Sequence, residues 1–310
     1  MRLIAAFMVV CLHCDLTGNL FADYLITNFC YIAVPYFFSL SGYFLYSEDR
    51  EKEKAKIRKT LKRMITIYLT VISAYVVIDI INAQSLDIVR SEWSIVLTTQ
   101  FWLFNQTPDC PVLWYIAAYI YMLLILYFFG KNHTAMIVLA VLSATVTVVI
   151  GPYAALWMSS GHDSAVNTSF IGNFCFLVCG YAIRKNKIAE RVRKRRLLYS
   201  MLALALLLPQ AEHYIIKMAT ASPVSGNCYI GILMACPLLL LTLLKNSSAL
   251  RFLSSIDGKT SLDIYLWHIA VFQTLSIWLD YPMLTNAASV FLITFFLSYT
   301  IRKTLRSNNS

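Results

Sequence analysis

Charge is what this chain has least of. Asp, Glu, Lys and Arg make up 14% of its 310 residues, whereas 59% are apolar and the mean hydropathy is +0.64. That balance excludes one or two soluble domains and describes a polytopic membrane protein. The strand-by-strand alternation of an outer-membrane barrel is also missing, which excludes a membrane β-barrel. No internal repeat of fixed period and no Gly/Ser-rich linker divides the chain, so it reads as one integral-membrane domain over residues 1–310. No separate signal peptide precedes the first apolar run, and that run is expected to be retained.

Long apolar runs are what the chain has instead. They recur at 3–20, 28–46, 64–82, 112–129, 135–151, 169–183, 197–216, 227–244, 260–279 and 284–301. As helices, most of these cross a hydrocarbon core of about 30 Å, although 135–151 and 169–183 are short. Water is absent from the lipid interior, so every backbone polar group must be satisfied within the segment, and helices do this. The predicted fold is an all-α integral membrane protein, a bundle of about ten transmembrane helices.

The net charge of +10 by itself suggests a nucleic-acid partner, but its placement argues against one. With the amino terminus inside, the even-numbered loops and the carboxy terminus hold nearly all of the 26 basic residues. The densest segments are REKEKAKIRKTLKR (50–63) and RKNKIAERVRKRR (184–196), and only Arg90 and Lys217 fall outside. This asymmetry places both termini in the cytoplasm. Topology and contact with anionic membrane lipids account for most of these charges.

Other features carry less. Cys11, His13 and Cys14 lie close together, but 11 and 14 share a helix face that 13 does not, and no second ligand cluster follows, so no metal is expected. Cys110 and Cys228 are both placed outward, where pairing is open to them. Asn105 and Asn167 sit in N-x-[ST] sequons on the same side. The apolar segment 93–104 is too short to span and is expected at the interface or dipping into the protein. Trp114, Tyr115, Trp157 and Trp278 read as interfacial anchors.

Ionisable groups inside apolar spans are costly and point to function. Here they are His13, Asp79, Asp263 and His268, with Arg2 at a boundary and Asp15, Glu212 and His213 near the outer face. Asp79 lies close enough to a span end to reach water. Asp263 follows Thr260 and Ser261 at a helix start, where a cap and an acid suit the positive end. The histidines are harder to explain as structure. Eleven helical steps from Arg2 to His13 rise about 16 Å and leave the two roughly 20° apart, on one face. His268 reaches a comparable depth on a different helix. A desolvated imidazole stays neutral and is a competent general base, while an arginine at the inner rim suits a phosphate. Acyl-coenzyme A, with phosphates at one end and a thioester on a long arm, has the shape to join the two positions.

At these residues the chain resembles the acyltransferase-3 family of multi-spanning O-acyltransferases. The resemblance rests on Arg2 and His13, on VPYFFSLSGYFL (34–45), on the basic run before the third span, on LWYIAAYIY (113–121) and on GKTSLDIYLWH (258–268). It implies ten core helices and acyl transfer from cytoplasmic acyl-coenzyme A, typically acetyl, to a surface or lipid-linked carbohydrate. It also implies that His13 is catalytic and that Arg2 belongs to the donor path. There are departures. An arginine pair three apart before the third span appears as Thr60 and Arg63, with Lys59 and Lys62 adjacent; Val112 replaces a histidine and Tyr31 an arginine.

The expectation is therefore a membrane O-acetyltransferase of a bacterial cytoplasmic membrane, with a glycan or lipid-linked glycan as acceptor. In it His13 deprotonates the acceptor hydroxyl or briefly carries the acyl group. Arg2, Lys59, Lys62 and Arg63 hold the phosphates of acyl-coenzyme A, and His268 with Tyr265 orients His13 or the acceptor. The alternatives are a small-molecule transporter relaying protons through its histidines, and an inactive relative.

Overall fold

A computed structural model describes residues 1–14, 16, 20–82, 86–104, 110–157, 168–220, 229–246, 258–278 and 286–307. Asp15, Asn105, Asn167 and Cys228 lie outside the described residues. Every regular element among those described is helical: α1 (Arg2–Cys11), α2 (Leu20–Cys30), α3 (Ala33–Leu45), α4 (Arg50–Asn82), α5 (Leu86–Trp93), α6 (Thr99–Phe104), α7 (Leu113–Phe129), α8 (His133–Ile150), α9 (Phe170–Lys185), α10 (Ile188–Arg191), α11 (Arg195–Thr220), α12 (Ile230–Lys245), α13 (Gly258–Trp278) and α14 (Ala287–Ser307). Short 3₁₀ turns occupy Ser94–Leu97 and Pro152–Leu156.

Three described segments are long and apolar enough to cross a membrane: Leu25–Leu45, Arg50–Ile81 and His133–Ile150. Shorter apolar helices lie at Arg2–Cys11, Leu113–Phe129 and Ile230–Lys245. The sides of α8 expose Ile137, Val138, Val141 and Leu142, as befits a helix facing lipid.

Two elements differ from the sequence expectation. The first apolar run does not continue to residue 20, because α1 closes at Cys11 and α2 begins at Leu20. The backbone N–H groups of Leu12 and His13 turn back to the carbonyls of Val9 and Val10, three residues earlier, and close the helix there. The basic run at 50–63 is not a loop but the first four turns of α4. Its Glu, Lys, Arg, Ala and Leu are strong helix formers, and Asp49 Oδ1 accepts from the backbone N–H groups of Glu51 and Lys52 at 3.0 and 3.3 Å.

The chain forms two compact units, residues Met1–Val34 with Asn246–Ser310, and Pro35–Lys245. In the first, α1 packs on α2, α13 and α14 around Ala6, Val10, Cys11, Ile264, Leu275, Ala287 and Val290. In the second, α3 and α9 approach closely: a Cβ on Gly42 would overlap the carbonyl of Leu177, and one on Gly180 would overlap that of Ser39. Small residues at such crossings let helix backbones meet in a membrane, which is what the glycine of the SGYF stretch does here.

Polar groups at the margins of the second unit are tied down. Asp79 does not reach water; it is buried and accepts from Trp93 Nε1 at 2.8 Å, which fastens the 86–104 segment to α4. Tyr121 Oη donates to the carbonyl of Trp102 at 2.7 Å and holds the far end of that segment. The side chain of Cys110 is fully buried. His213 Nδ1 and Tyr229 Oη lie 2.7 Å apart, and Glu212 accepts from the backbone N–H of Gly231 at 3.0 Å, so both join α11 to α12.

Candidate functional site

The first unit brings two imidazoles together. Near its end α1 tightens: the N–H groups of Leu12 and His13 donate to the carbonyls of Val9 and Val10, three residues back, both at 3.0 Å. Such 3₁₀ closure turns about 120° per residue rather than 100°, so His13 lies roughly 60° around the axis from Arg2 instead of 20°. His13 is half-buried, while Arg2 at the opposite end of α1 is exposed.

On α13 the buried positions Ser261, Ile264, Tyr265, His268 and Leu275 recur at helical spacing and form one stripe. His268 is on that stripe and has no exposed surface. The centroids of the His13 and His268 rings are 5.4 Å apart, inclined at 46°. Tyr265 is buried beside them, its ring centroid 6.3 Å from that of His268.

The tautomer of His268 follows from its partner. Nδ1 lies 3.0 Å from the carbonyl oxygen of Ile264. A carbonyl only accepts, so Nδ1 carries the proton and Nε2 keeps its lone pair. Among the described residues Nε2 is buried and makes no hydrogen bond. An unsatisfied buried polar atom is uncommon in a folded protein and needs a reason. A ring fixed in this way can accept a proton at Nε2, directly or through one water molecule.

The surroundings are apolar with thiols. Cys11 and Cys30 hydrogen-bond through their side chains, and Cys14 is buried alongside. Among the described residues no group of three or more His, Cys, Asp or Glu side chains could hold a metal ion. Asp263, expected only to favour the start of its helix, instead pairs with Arg302 of α14, whose Nη2 donates to Oδ1 at 2.6 Å. The residues that sequence reasoning named thus separate into groups. His13, His268 and Tyr265 meet in one cluster, and Arg2 sits at the far end of the same helix.

Lys59, Lys62 and Arg63 belong to the second unit, where all three are exposed on α4. Lys59 and Arg63, four apart, share a face, whereas Lys62 turns away by about 60–100°. Arg63 lies within electrostatic reach of Tyr119, whose hydroxyl hydrogen-bonds the side chain of Ser41. Phe38 packs against Tyr115 at 4.7 Å between ring centroids, so the SGYF and LWY stretches come together in this unit.

A family model described as an acyltransferase domain matches residues 1–303 of the chain. No curated protein and no solved structure matches it.

Proposed function

Given that the chain belongs to the acyltransferase-3 family, and so is a membrane acyltransferase, we propose that it moves an acetyl group from cytoplasmic acetyl-coenzyme A to a hydroxyl of a surface or lipid-linked glycan. In this reading the whole chain acts as one acyltransferase domain of about ten spans, with both termini in the cytoplasm of a bacterial cell. His13 is the general base. It takes the proton of the acceptor hydroxyl as that oxygen attacks the thioester carbonyl. The C–S bond then breaks, and the departing thiolate takes the proton from the imidazolium, leaving ester, free coenzyme A and neutral His13.

The observation that carries this reading is the pairing of His13 with His268, 5.4 Å apart between centroids, with the buried Nε2 of His268 open. A second imidazole held with its lone pair available can steady the first as it becomes positively charged, or align the acceptor hydroxyl. Arg2, Lys59, Lys62 and Arg63 are the cations assigned to the donor phosphates, since exposed ammonium and guanidinium groups bind phosphate without further machinery.

The test is incubation of the purified full-length protein with labelled acetyl-coenzyme A, with and without carbohydrate acceptors. Label appearing on the acceptor supports the proposal, and label retained on His13 makes that residue an acyl carrier instead. His13→Ala is expected to abolish transfer while the protein still purifies as a folded species. Undiminished transfer by that variant removes His13 from the chemistry.

A further inference from the structure

Helix α4 carries a polar seam that its packing does not require. Its buried stripe is Glu53, Ile57, Met64, Val71 and Tyr75. About 110° around the axis lies a second stripe, Lys52, Lys56, Lys59 and Arg63, continued by Thr66, Thr70 and Ser73. Every position in it is exposed. The twenty-one steps rise about 32 Å, from the basic turns of 50–63 into the apolar run that begins at 64. Thr66 and Ser73 donate back to the carbonyls of Lys62 and Leu69 at 3.0 and 2.8 Å, which leaves their oxygen lone pairs on the seam.

The cations of this seam lie alongside an apolar helix. Arg50 Nη2 donates to the carbonyls of Leu126 and Tyr127 at 3.2 and 2.8 Å, which sets the start of α4 against the end of α7. Further along α4, Arg63 lies within electrostatic range of Tyr119, which is ten residues, about 15 Å, in from the end of α7. No residue of α7 is charged. Cations at that depth are costly in lipid and are found where they face water or a polar cavity.

At its Lys52 end the seam opens into a groove of about 570 Å³, lined by Tyr46, Lys52, Lys56, Arg184 and Lys187. Arg184 is held in place by Tyr43, its Nη1 donating to the hydroxyl at 3.0 Å with the guanidinium 5.2 Å from the ring centroid. Lys187 is in the left-handed region at φ 52°, where glycine would be less strained, and it places an ammonium at the groove. Glu48 and Asp49 also line the groove, paired with Lys187 and Lys52 across 3.7 and 3.5 Å. Such exposed pairs are weak, and a phosphate competes well for their ammonium groups. Glu190 is the remaining acid in the lining. The surrounding field stays positive, because segments 50–63 and 184–196 each carry eight basic residues, against two acidic residues and one.

We infer that the seam of α4 lines a cationic inlet, and that the groove at its mouth binds the phosphorylated nucleotide head of the acyl donor, with Lys56, Arg184 and Lys187 as phosphate ligands and Tyr46 offering its ring to the base. This rests on the acyl-donor reading above and names residues of the donor site beyond those already assigned. The phosphate chemistry alone would also suit an anionic lipid headgroup, so the experiment separates the two.

The probe is adenosine 3′,5′-bisphosphate, which has the head of the donor and nothing to transfer, titrated calorimetrically into the full-length protein in detergent. A Lys56→Glu, Lys187→Glu double variant changes only exposed side chains, and its thermal unfolding confirms that it is folded. Expected is saturable, salt-sensitive binding to the parent, weakened on the order of tenfold or more in the variant, with a matching rise in KM for acetyl-coenzyme A. Equal binding by parent and variant overturns the inference, as does a parent that binds phosphatidylglycerol vesicles through these lysines but not the nucleotide. If the nucleotide binds as expected and no acetyl group is ever transferred, the inlet stands and the acyltransfer reading fails. If transfer proceeds in the variant with an unchanged KM, the acyltransfer reading stands and the inlet fails.

Discussion

His268 in the first unit and Glu53 in the second are buried alike, at 0% and 1% exposure, and their surroundings are opposite. Glu53 is saturated. It accepts from Arg50, from the Tyr181 hydroxyl at 3.0 Å and from the Ser47 backbone N–H at 3.3 Å. Arg50 in turn covers the last carbonyls of α7, so one carboxylate joins α4, α7 and α9. His268 has one nitrogen spent on its own helix and the other without a hydrogen bond among the described residues. A buried charge with all its partners is a joint; a buried base with an open lone pair is available for chemistry.

The first way to break this contrast is at the imidazoles. His13→Ala should lower acyl transfer by about a thousandfold or more, as removal of a general base does, with little change in thermal unfolding because the side chain is half-buried. His268→Phe sharpens the point. It keeps an aromatic ring in the site and removes the unsatisfied nitrogen, so transfer should fall on the order of a hundredfold while stability holds or rises. A loss of stability equal to the loss of activity would make His268 a packing residue.

At Glu53 the two readouts should move together. Glu53→Ala leaves the Arg50 guanidinium and the Tyr181 hydroxyl facing an empty position, and it should cost about 3 kcal/mol, visible as a lower unfolding temperature in detergent. Glu53→Gln keeps the shape and a hydrogen bond to Tyr181 and should cost less. Gly180→Ala tests the adjoining crossing of α3 and α9. The added methyl meets the backbone of Ser39 rather than a flexible side chain, so about 1–3 kcal/mol should be lost without any direct effect on chemistry.

Much of this was legible in the sequence, and the failures have physical causes. Helices α7, α8, α9, α11, α12, α13 and α14 fall where apolar runs predict them, whereas the single turn of α10 lies in the basic segment 184–196 and matches no run. His13 and His268 stand out because ionisable groups are rare in such runs, and their comparable depth on two helices points to one polar site. The end of α1 at Cys11 was hidden, because Leu12, His13 and Cys14 sit inside an apolar run and hydropathy marks no stop there. The basic run concealed a helix because topology rules count charge and are blind to the helix propensity of Lys, Glu and Arg. Long-range partners were invisible. Glu53 meets Tyr181 across 128 positions, and nothing local marks that pair among so many charged residues.

The smallest expected effect bears on how the first unit is closed at one end. Asp263, in the second turn of α13, receives two hydrogen bonds from the Arg302 guanidinium near the end of α14. The side chains are 20% and 29% exposed, so water screens the pair and its removal should cost about 1 kcal/mol rather than the several lost at Glu53. If the ion pair alone is responsible, Arg302→Ala, Asp263→Asn and the double variant should all lose a similar amount, because once either partner is gone the other contributes nothing. Strictly additive losses would mean that each side chain acts through separate contacts. Since Asp263 lies five residues before His268, an ion pair that only fastens α13 to α14 should leave acyl transfer within about twofold of the parent. A larger loss would show that the orientation of His268 depends on this clasp, and would place a saturated pair of the first unit in the service of its open imidazole.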